Sequence, residues 1–284
     1  MKPHVLITGS GGFLGVPLTR QLRLAGYQVT ALSHADGDIC SIHLEHHQPD
    51  VLVHLAAHNF VPLSWEIPQE IYRTNTLGTL HALEACRHLQ IPFLMNSCYV
   101  YGKPDKNPVD ESHPVRAHNP YVLSKVAAEQ LALFYAEHHQ VPVTIIRPFN
   151  PYGPGQAPNF VIPHILRQIL DPDCKSVEVV TLAPKRDFIY ISDIVDAVYR
   201  LIDRKKTGIY NLGTGIAHSI EQVARCAMDV LDIHKPLRDQ NGRPEDPPEV
   251  RADHTAIQNA IGWKPSVPLA EGLLMVAEHM RAGL

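Results

Sequence analysis

Short apolar runs alternate with longer amphipathic stretches through the first half of the chain. His4 to Thr8, Tyr27 to Leu32, Val51 to Leu55, Pro92 to Asn96 and Val143 to Arg147 read as strands, with the near-continuous hydrophobicity of strands buried on both faces. Between them Leu14 to Ala25, Gln69 to Leu89 and Tyr121 to His139 carry apolar residues at helical spacing. This β-α-β order predicts an α/β fold, a doubly wound parallel sheet with helices on both faces.

After Arg147 the texture changes. Pro148-Phe149-Asn150-Pro151-Tyr152-Gly153-Pro154-Gly155 is a Pro- and Gly-rich exit from the regular half and suggests a boundary. Beyond it the pattern predicts a strand over Val177 to Leu182, a helix over Ser192 to Asp203, a strand over Ile209 to Leu212, a helix over Ser219 to Leu231 and a last helix from Leu269. Residues 156–182 and 232–250 otherwise read as irregular, with a Pro-rich loop from Arg243 to Pro248.

Composition narrows the function classes. The 284 residues are 45% hydrophobic and 19% charged, an ordinary globular balance that excludes disorder as the main theme. The 25 Lys and Arg against 29 Asp and Glu form no basic run able to track a phosphate backbone, so no nucleic-acid partner is expected. Five scattered cysteines without a C-x-x-C pair point to a reducing compartment. No apolar run reaches transmembrane length and the start reads without a signal segment, so a cytoplasmic protein with no membrane association is expected. Among the 18 histidines, His43, His46, His47 and the pair His138-His139 invite a metal reading. Neighbouring histidines on a helix diverge, however, and no companion Cys/His spacing accompanies them, so no metal site is expected.

The strand His4 to Thr8 runs into Gly9-Ser10-Gly11-Gly12-Phe13-Leu14-Gly15 and then into a helix. Glycines at such a turn permit a tight bend and close approach of backbone to a pyrophosphate, and the helix N-terminus offers free N–H groups. A dinucleotide site is expected, contacted by Gly9, Gly12, Phe13, Leu14 and Gly15. The second strand ends in Ser33-His34 rather than in a carboxylate. Without that negative charge a 2′-phosphate is not repelled, and Ser33 and His34 can donate to it, so NADP is expected and NAD stays open. Asp38-Ile39 follows closely, either beside the adenine or as a solvent-facing turn.

Tyr121 and Lys125, four apart after Asn119-Pro120, share one helix face. A nearby ammonium favours phenolate and is expected to lower the Tyr121 pKa, suiting proton exchange with a carbonyl or carbinol oxygen. Ser97 follows the strand Pro92 to Asn96 at the carboxyl edge of the sheet, where doubly wound folds bind ligands, and can bond the same oxygen.

Together with Leu55-Ala56-Ala57, Asn75-x-x-Gly78-Thr79, Ser97-x-x-Val100-Tyr101-Gly102, Arg147-Pro148-Phe149-Asn150, Tyr152-Gly153-Pro154-Gly155, Arg186-Asp187-Phe188-Ile189-Tyr190, Tyr210-Asn211-Leu212-Gly213, Arg243 and Gly262-Trp263-x-Pro265, these motifs resemble the extended short-chain dehydrogenase/reductase family of nucleotide-sugar enzymes. The resemblance covers nearly the whole chain. It implies a catalytic set of Ser97, Tyr121 and Lys125, cofactor contacts that include Leu55, Ala56, Ala57, Asn75 and Pro148, and a nucleotide-diphosphate sugar approached by Cys98, Tyr99, Asn150, Arg186 and Arg243. It further implies a dinucleotide-binding domain over 1–152 and 185–216, a substrate domain over 153–184 and 217–284, and a homodimer built as a four-helix bundle from the helices Gln69 to Leu89 and Tyr121 to His139.

Family dehydratases carry a Thr-Asp-Glu type segment where this chain has Ser97-Cys98-Tyr99, which argues against water elimination. Ser64-Trp65 with Pro68, and the segment from Pro148 to Val161, most resemble reductases of GDP-linked 4-keto-6-deoxy sugars. A 4-epimerase with tightly held NAD is the alternative, and a non-catalytic NADP-binding sensor a second one.

Overall fold

The computed structural model describes residues 2–242 and 247–283. In chain order its first half contains β1 (His4–Thr8), α1 (Gly15–Leu24), β2 (Gln28–Leu32), β3 (Val51–His54), α2 (Leu63–Glu66), α3 (Pro68–Tyr72), α4 (Gly78–Leu89), β4 (Phe93–Asn96), α5 (Pro120–His139) and β5 (Val143–Pro148). There follow β6 (Asn150–Tyr152), α6 (Val161–Leu170), β7 (Val177–Val179), β8 (Lys185–Tyr190), α7 (Ile191–Asp203), β9 (Gly208–Leu212), β10 (Ala217–Ser219), α8 (Ile220–Leu231), β11 (Leu237–Asp239), β12 (Glu249–Val250), α9 (Thr255–Ile261) and α10 (Leu269–Ala282).

By internal packing the chain divides into two compact units, one of Met1–Gly102, Glu111–Pro148 and Val195–Tyr210, the other of Lys103–Asp110, Phe149–Ile194 and Asn211–Leu284. In the first, the main sheet has strand order β2-β1-β3-β4-β5-β9, and every pairing from β2 to β5 is parallel. The order reverses between β1 and β3, which creates the crevice at the carboxyl ends of the strands where such sheets bind ligands. The core follows from the expected pattern: Leu6, Leu52, Phe93, Met95 and Ile145 of the strands pack against Ala82, Leu83 and Cys86 of α4 and Ala128 and Ala132 of α5. Small residues on both helices let them lie close to the sheet.

The stretch Gln69 to Leu89, read as one helix, is α3, a π-helical turn over Arg73–Leu77, and α4. The turn presents the buried Asn75 sideways, and its side chain is tied to His58 N–H at 2.8 Å, His58 C=O at 3.1 Å and Ser124 Oγ at 2.9 Å.

The second unit is centred on β8, which pairs antiparallel with β10 and parallel with β6 and β12. The sequence division assigned 185–216 to the first domain, whereas packing leaves only Val195–Tyr210 there, because β8 is the centre of the second unit's own sheet. Lys103–Asp110 also joins this unit, where Val109 bridges Ala252. The expected strand Val177 to Leu182 stops at Val179, the end of its pairing with β11.

One buried polar side chain in the main sheet gives stability a pH dependence. His54 is 2% exposed, its Nδ1 lies 2.9 Å from Thr8 Oγ1, its ring stacks on Phe93, and its Nε2 has no partner among the described residues. Burial lowers its pKa from 6.5 to about 3, so the unfolded chain takes up this proton where the folded chain does not. The stability carried by neutral His54 is therefore complete above the unfolded value and is lost as pH falls from there towards the folded value, at up to about 1.4 kcal/mol per pH unit. His54→Gln is expected to flatten the decline of thermal midpoint with acidification below the unfolded value; parallel slopes in wild type and variant would reject this assignment.

Candidate active site

The glycine loop joins β1 to α1 under tight backbone constraint. Gly9 has φ of +70°, and a Cβ there would meet the Ala56 N at 2.6 Å; a Cβ on Gly15 would collide with the Gly9 carbonyl oxygen. Glycine is thus required both for the left-handed turn and for the close approach to Leu55-Ala56-Ala57, the half-buried segment that leaves β3. The start of α1 has no side-chain cap and no acidic residue in its first turn, so its positive dipole end faces the loop Gly12-Phe13-Leu14 uncompensated. These residues fit the pyrophosphate of a dinucleotide: the backbone is open to approach and the electrostatics favour an anion.

At the end of β2 the structure departs from the sequence reading. Asp36 folds back within a short 3-10 turn, His34–Asp36, and its Oδ2 accepts from both the Ser33 N–H and the Ser33 hydroxyl at 2.8 Å. These bonds hold its carboxyl below the usual carboxylate range. A carboxylate therefore does stand at the carboxyl end of β2, close in space although three residues further along the chain. The Ser33 hydroxyl donates to Asp36, and Ser33 lies beside Gly11, where an added Cβ would be 3.6 Å from the Ser33 Cβ. His34 is exposed. Asp38 accepts from the Cys40 N–H at 2.9 Å and pairs with Arg73, so it is a turn-forming residue anchored to the π-helical turn. Ile39 lies on Gly78, whose missing side chain makes room for it: a Cβ there would be 2.8 Å from the Ile39 Cγ2.

The catalytic candidates arise from β4 and α5. Ser97 directly follows β4, its N–H bonded to the Ile146 carbonyl of β5 at 2.8 Å, and its Oγ is fully buried with no partner among the described residues. Asn119 caps α5 by accepting from the Val122 N–H at 2.8 Å, and Pro120 occupies the first turn, so the helix begins immediately before Tyr121. Tyr121 and Lys125 are both buried, one turn apart. Ser124 between them links α5 to the π-helical turn by accepting from Asn75 Nδ2, while Thr76 Oγ1 donates to the Ser124 carbonyl at 3.1 Å. Asn75 thus spends its amide on protein partners and acts by holding α5 and the post-β3 segment in place.

The acid-base balance differs from the expectation that Lys125 lowers the Tyr121 pKa. Burial pushes the Tyr121 phenol well above its ordinary value, and the neighbouring Cys98 and Tyr99 push it the same way. Burial also pulls the Lys125 ammonium down, against the Cys98 and Glu129 charges. Burial is the largest influence on both groups; only at Lys125 is it opposed, by Cys98 and Glu129. The Cys98 thiol, fully buried next to Ser97, is pushed up to about 11, chiefly by burial, and so remains a neutral wall residue at neutral pH. Tyr99 adopts a left-handed backbone, φ of +63°, and its side chain is exposed. Such a conformation is uncommon for a bulky residue and costs backbone strain.

Pro148 closes β5 and is buried. In the second unit Asn150 Nδ2 donates to the Asp187 carbonyl at 2.9 Å, and Arg186 Nη1 donates to the Lys185 and Pro247 carbonyls at 2.9 and 2.7 Å. Arg243 lies outside the described residues. The motif residue Asp187, expected only as part of the resemblance, is fully buried and accepts from the Thr214 hydroxyl and the backbone N–H groups of Thr214, Gly215 and Ala252. No helix among the described residues is long and apolar enough to cross a membrane.

Comparisons with known proteins agree with this geometry. The chain is 29% identical to the GDP-6-deoxy-D-mannose reductase of Pseudomonas aeruginosa over 96% of its own length and 95% of the relative's. It is 31% identical to the GDP-6-deoxy-D-talose 4-dehydrogenase of Aggregatibacter actinomycetemcomitans, covering 91% of each. A dTDP-D-glucose 4,6-dehydratase of Homo sapiens, 31% identical over 98% of this chain and 90% of the relative, and a UDP-glucose 4-epimerase of Azospirillum brasilense, 28% identical over 97% and 91%, match as well. The solved structure of RMD from Pseudomonas aeruginosa complexed with NADPH superposes with a TM-score of 0.91 at 28% identity, covering 100% of both chains. With residues 5–213 matching its family pattern, and the glycine loop and Ser97, Tyr121 and Lys125 in place, the chain belongs to the NAD dependent epimerase/dehydratase family.

Proposed function

We propose that this protein is an NAD(P)H-dependent reductase of the 4-keto group of a nucleotide-linked 4-keto-6-deoxyhexose, GDP-linked in the first instance. The observation that carries the reading is a buried Ser97 hydroxyl without a partner among the described residues, at the carboxyl end of β4, together with the buried phenol of Tyr121, whose pKa burial raises. A protonated phenol is a general acid, the role needed when a ketone becomes an alcohol. The nicotinamide cofactor, when bound, supplies the hydride. Tyr121 then gives its proton to the C4 oxygen, Ser97 holds that oxygen by a hydrogen bond, and the Lys125 ammonium stabilises the phenolate left behind. Ser97-Cys98-Tyr99 carries no carboxylate to act as a base for eliminating water, which supports a reductase over a dehydratase.

On this reading Asn150, Arg186 and Arg243 approach the diphosphate, where guanidinium groups match phosphate geometry. The protein works in the cytoplasm, in keeping with five unpaired cysteines. A homodimer forms through α4 and α5, supported by the exposed Leu123, Leu133 and Phe134 along α5 and Leu77 at the start of α4. One observation favours a second reading, a 4-epimerase retaining NAD: the Asp36 carboxylate at the end of β2 suits the free ribose hydroxyls of NAD.

The amount of cofactor oxidised per product decides between the two. Supplied with GDP-, dTDP-, UDP- or CDP-linked 4-keto-6-deoxy sugars, the protein is expected to oxidise one NAD(P)H for each product formed; conversion of the matching nucleotide-linked hexoses to their C4 epimers without net oxidation establishes the epimerase. Tyr121→Phe is expected to lower turnover by about 100-fold or more while cofactor binding is kept. Unchanged function in that variant would point to a non-catalytic cofactor sensor. Asp36→Asn is expected to shift kcat/KM several-fold towards NADPH relative to NADH, and an unchanged ratio would remove Asp36 from the cofactor site.

A further inference from the structure

The segment between β2 and β3 carries a second group of convergent side chains that the proposed reaction does not use. A short 3-10 turn spans Leu44–His47, with His43 at its start. With three residues per turn, side chains at i and i+3 eclipse one another. His43, the residue preceding the turn, and His46 stack, ring centroids 4.7 Å apart and planes within 17°. Glu45 completes the group, its Oε1 lying 3.2 Å from His43 Nδ1. One ligand atom from each of the three residues lies within 4.8 Å of the others. The expected divergence concerns adjacent histidines such as His46 and His47, whereas the group here joins residues two and three apart.

The backbone under this group is fixed. Leu44 is fully buried in the core of the first unit, the Ile42 carbonyl lies 2.7 Å from His81 Nε2 of α4, and Gln48 closes the turn in a left-handed conformation with its side-chain amide donating to the Glu45 carbonyl at 2.8 Å. The three polar side chains remain at the surface, His43 and His46 exposed and Glu45 half-buried. Small rotamer changes bring two imidazoles and a carboxylate to ligand distance, with the backbone cost of ordering them already met.

We propose that His43, Glu45 and His46 form a surface site for a divalent transition-metal ion. Two imidazole nitrogens and a carboxylate oxygen are the donor set favoured by zinc, with copper(II) and nickel(II) as competitors, and three protein ligands leave a fourth position for water. The ligands span only four residues, so the ion closes a short ring and its effect is local. It stiffens the turn that follows Asp38 and Ile39 and takes no part in the chemistry at Tyr121.

The test uses the full chain free of any affinity tag, titrated calorimetrically with zinc chloride, and with cobalt(II) as a spectroscopic probe. Wild type is expected to take up one zinc at this site and to give the visible absorption of low-symmetry cobalt(II). His43→Ala, His46→Ala and Glu45→Gln, all surface changes, are each expected to weaken that binding by about tenfold or more. A His138→Ala, His139→Ala double variant should leave it unchanged. Failure of wild type to bind zinc, or equal binding by the His46→Ala and His43→Ala variants, overturns the proposal; so does loss of the site in the His138, His139 control. None of these outcomes depends on which sugar the enzyme reduces.

Discussion

A guanidinium and a carboxylate shut away from water hold the acid-base helix in place. Arg147 on β5 and Glu129 on α5 are 5% and 1% exposed, joined by two parallel bonds of 2.9 and 2.5 Å. Tyr101 adds its hydroxyl as a further acceptor for Arg147 at 2.8 Å, and its ring lies 5.0 Å from the guanidinium carbon. Neither charge can be buried alone, since removing one partner of such a pair typically costs about 3–5 kcal/mol. The pair therefore fixes not only the distance between β5 and α5 but also the rotation of α5 about its axis. Tyr121, Lys125 and Glu129 recur every four residues on one face, so the bonds that orient Glu129 also aim the phenol and the ammonium.

Electrostatics at the other end of that face follow from how completely it is closed. Lys125 lies near the Glu129 carboxylate, but Arg147 already neutralises much of that charge. Burial is then the largest influence on both Lys125 and Tyr121, raising one pKa and lowering the other. The same enclosure thus favours the neutral form of both groups.

Much of this was legible along the chain, because the signals were local. β1 to β5 announced themselves as apolar runs, and the glycine loop and the Ser97, Tyr121 and Lys125 set lay on the strand-to-helix turns and the helix that periodicity had already placed. What the sequence concealed depended on contacts between distant residues or on the exact turn type. β8 begins Lys-Arg-Asp and reads as surface, yet Asp187 is buried by partners from residues 214, 215 and 252. α6 carried a readable signal, since Ile162, Ile165, Leu166 and Ile169 follow the helical i, i+3, i+4, i+7 pattern, but Pro163 and the surrounding loops obscured it. The strand end reads as Ser33-His34 without a carboxylate, and only the 3-10 turn, which no periodicity marks, brings Asp36 back to it. The lowered phenol pKa was expected from one neighbour, whereas the enclosing protein decided it.

The π-helical turn over Arg73–Leu77 has a consequence for how this helix can change during evolution. Such a turn accommodates one residue more than an α-helix would, and that surplus is what sets Asn75 sideways between His58 and Ser124, with Thr79 Oγ1 donating to its carbonyl at 2.7 Å. Each residue of a helix advances its face by about 100°. A deletion within these five positions removes the surplus without that rotation, so α4 keeps Ala82, Leu83 and Cys86 on the sheet and what is lost is the seat of Asn75 between His58 and Ser124. The extra residue is thus spent on Asn75 rather than on the packing of α4, and the length of the turn and the identity of residue 75 are held by the same hydrogen bonds.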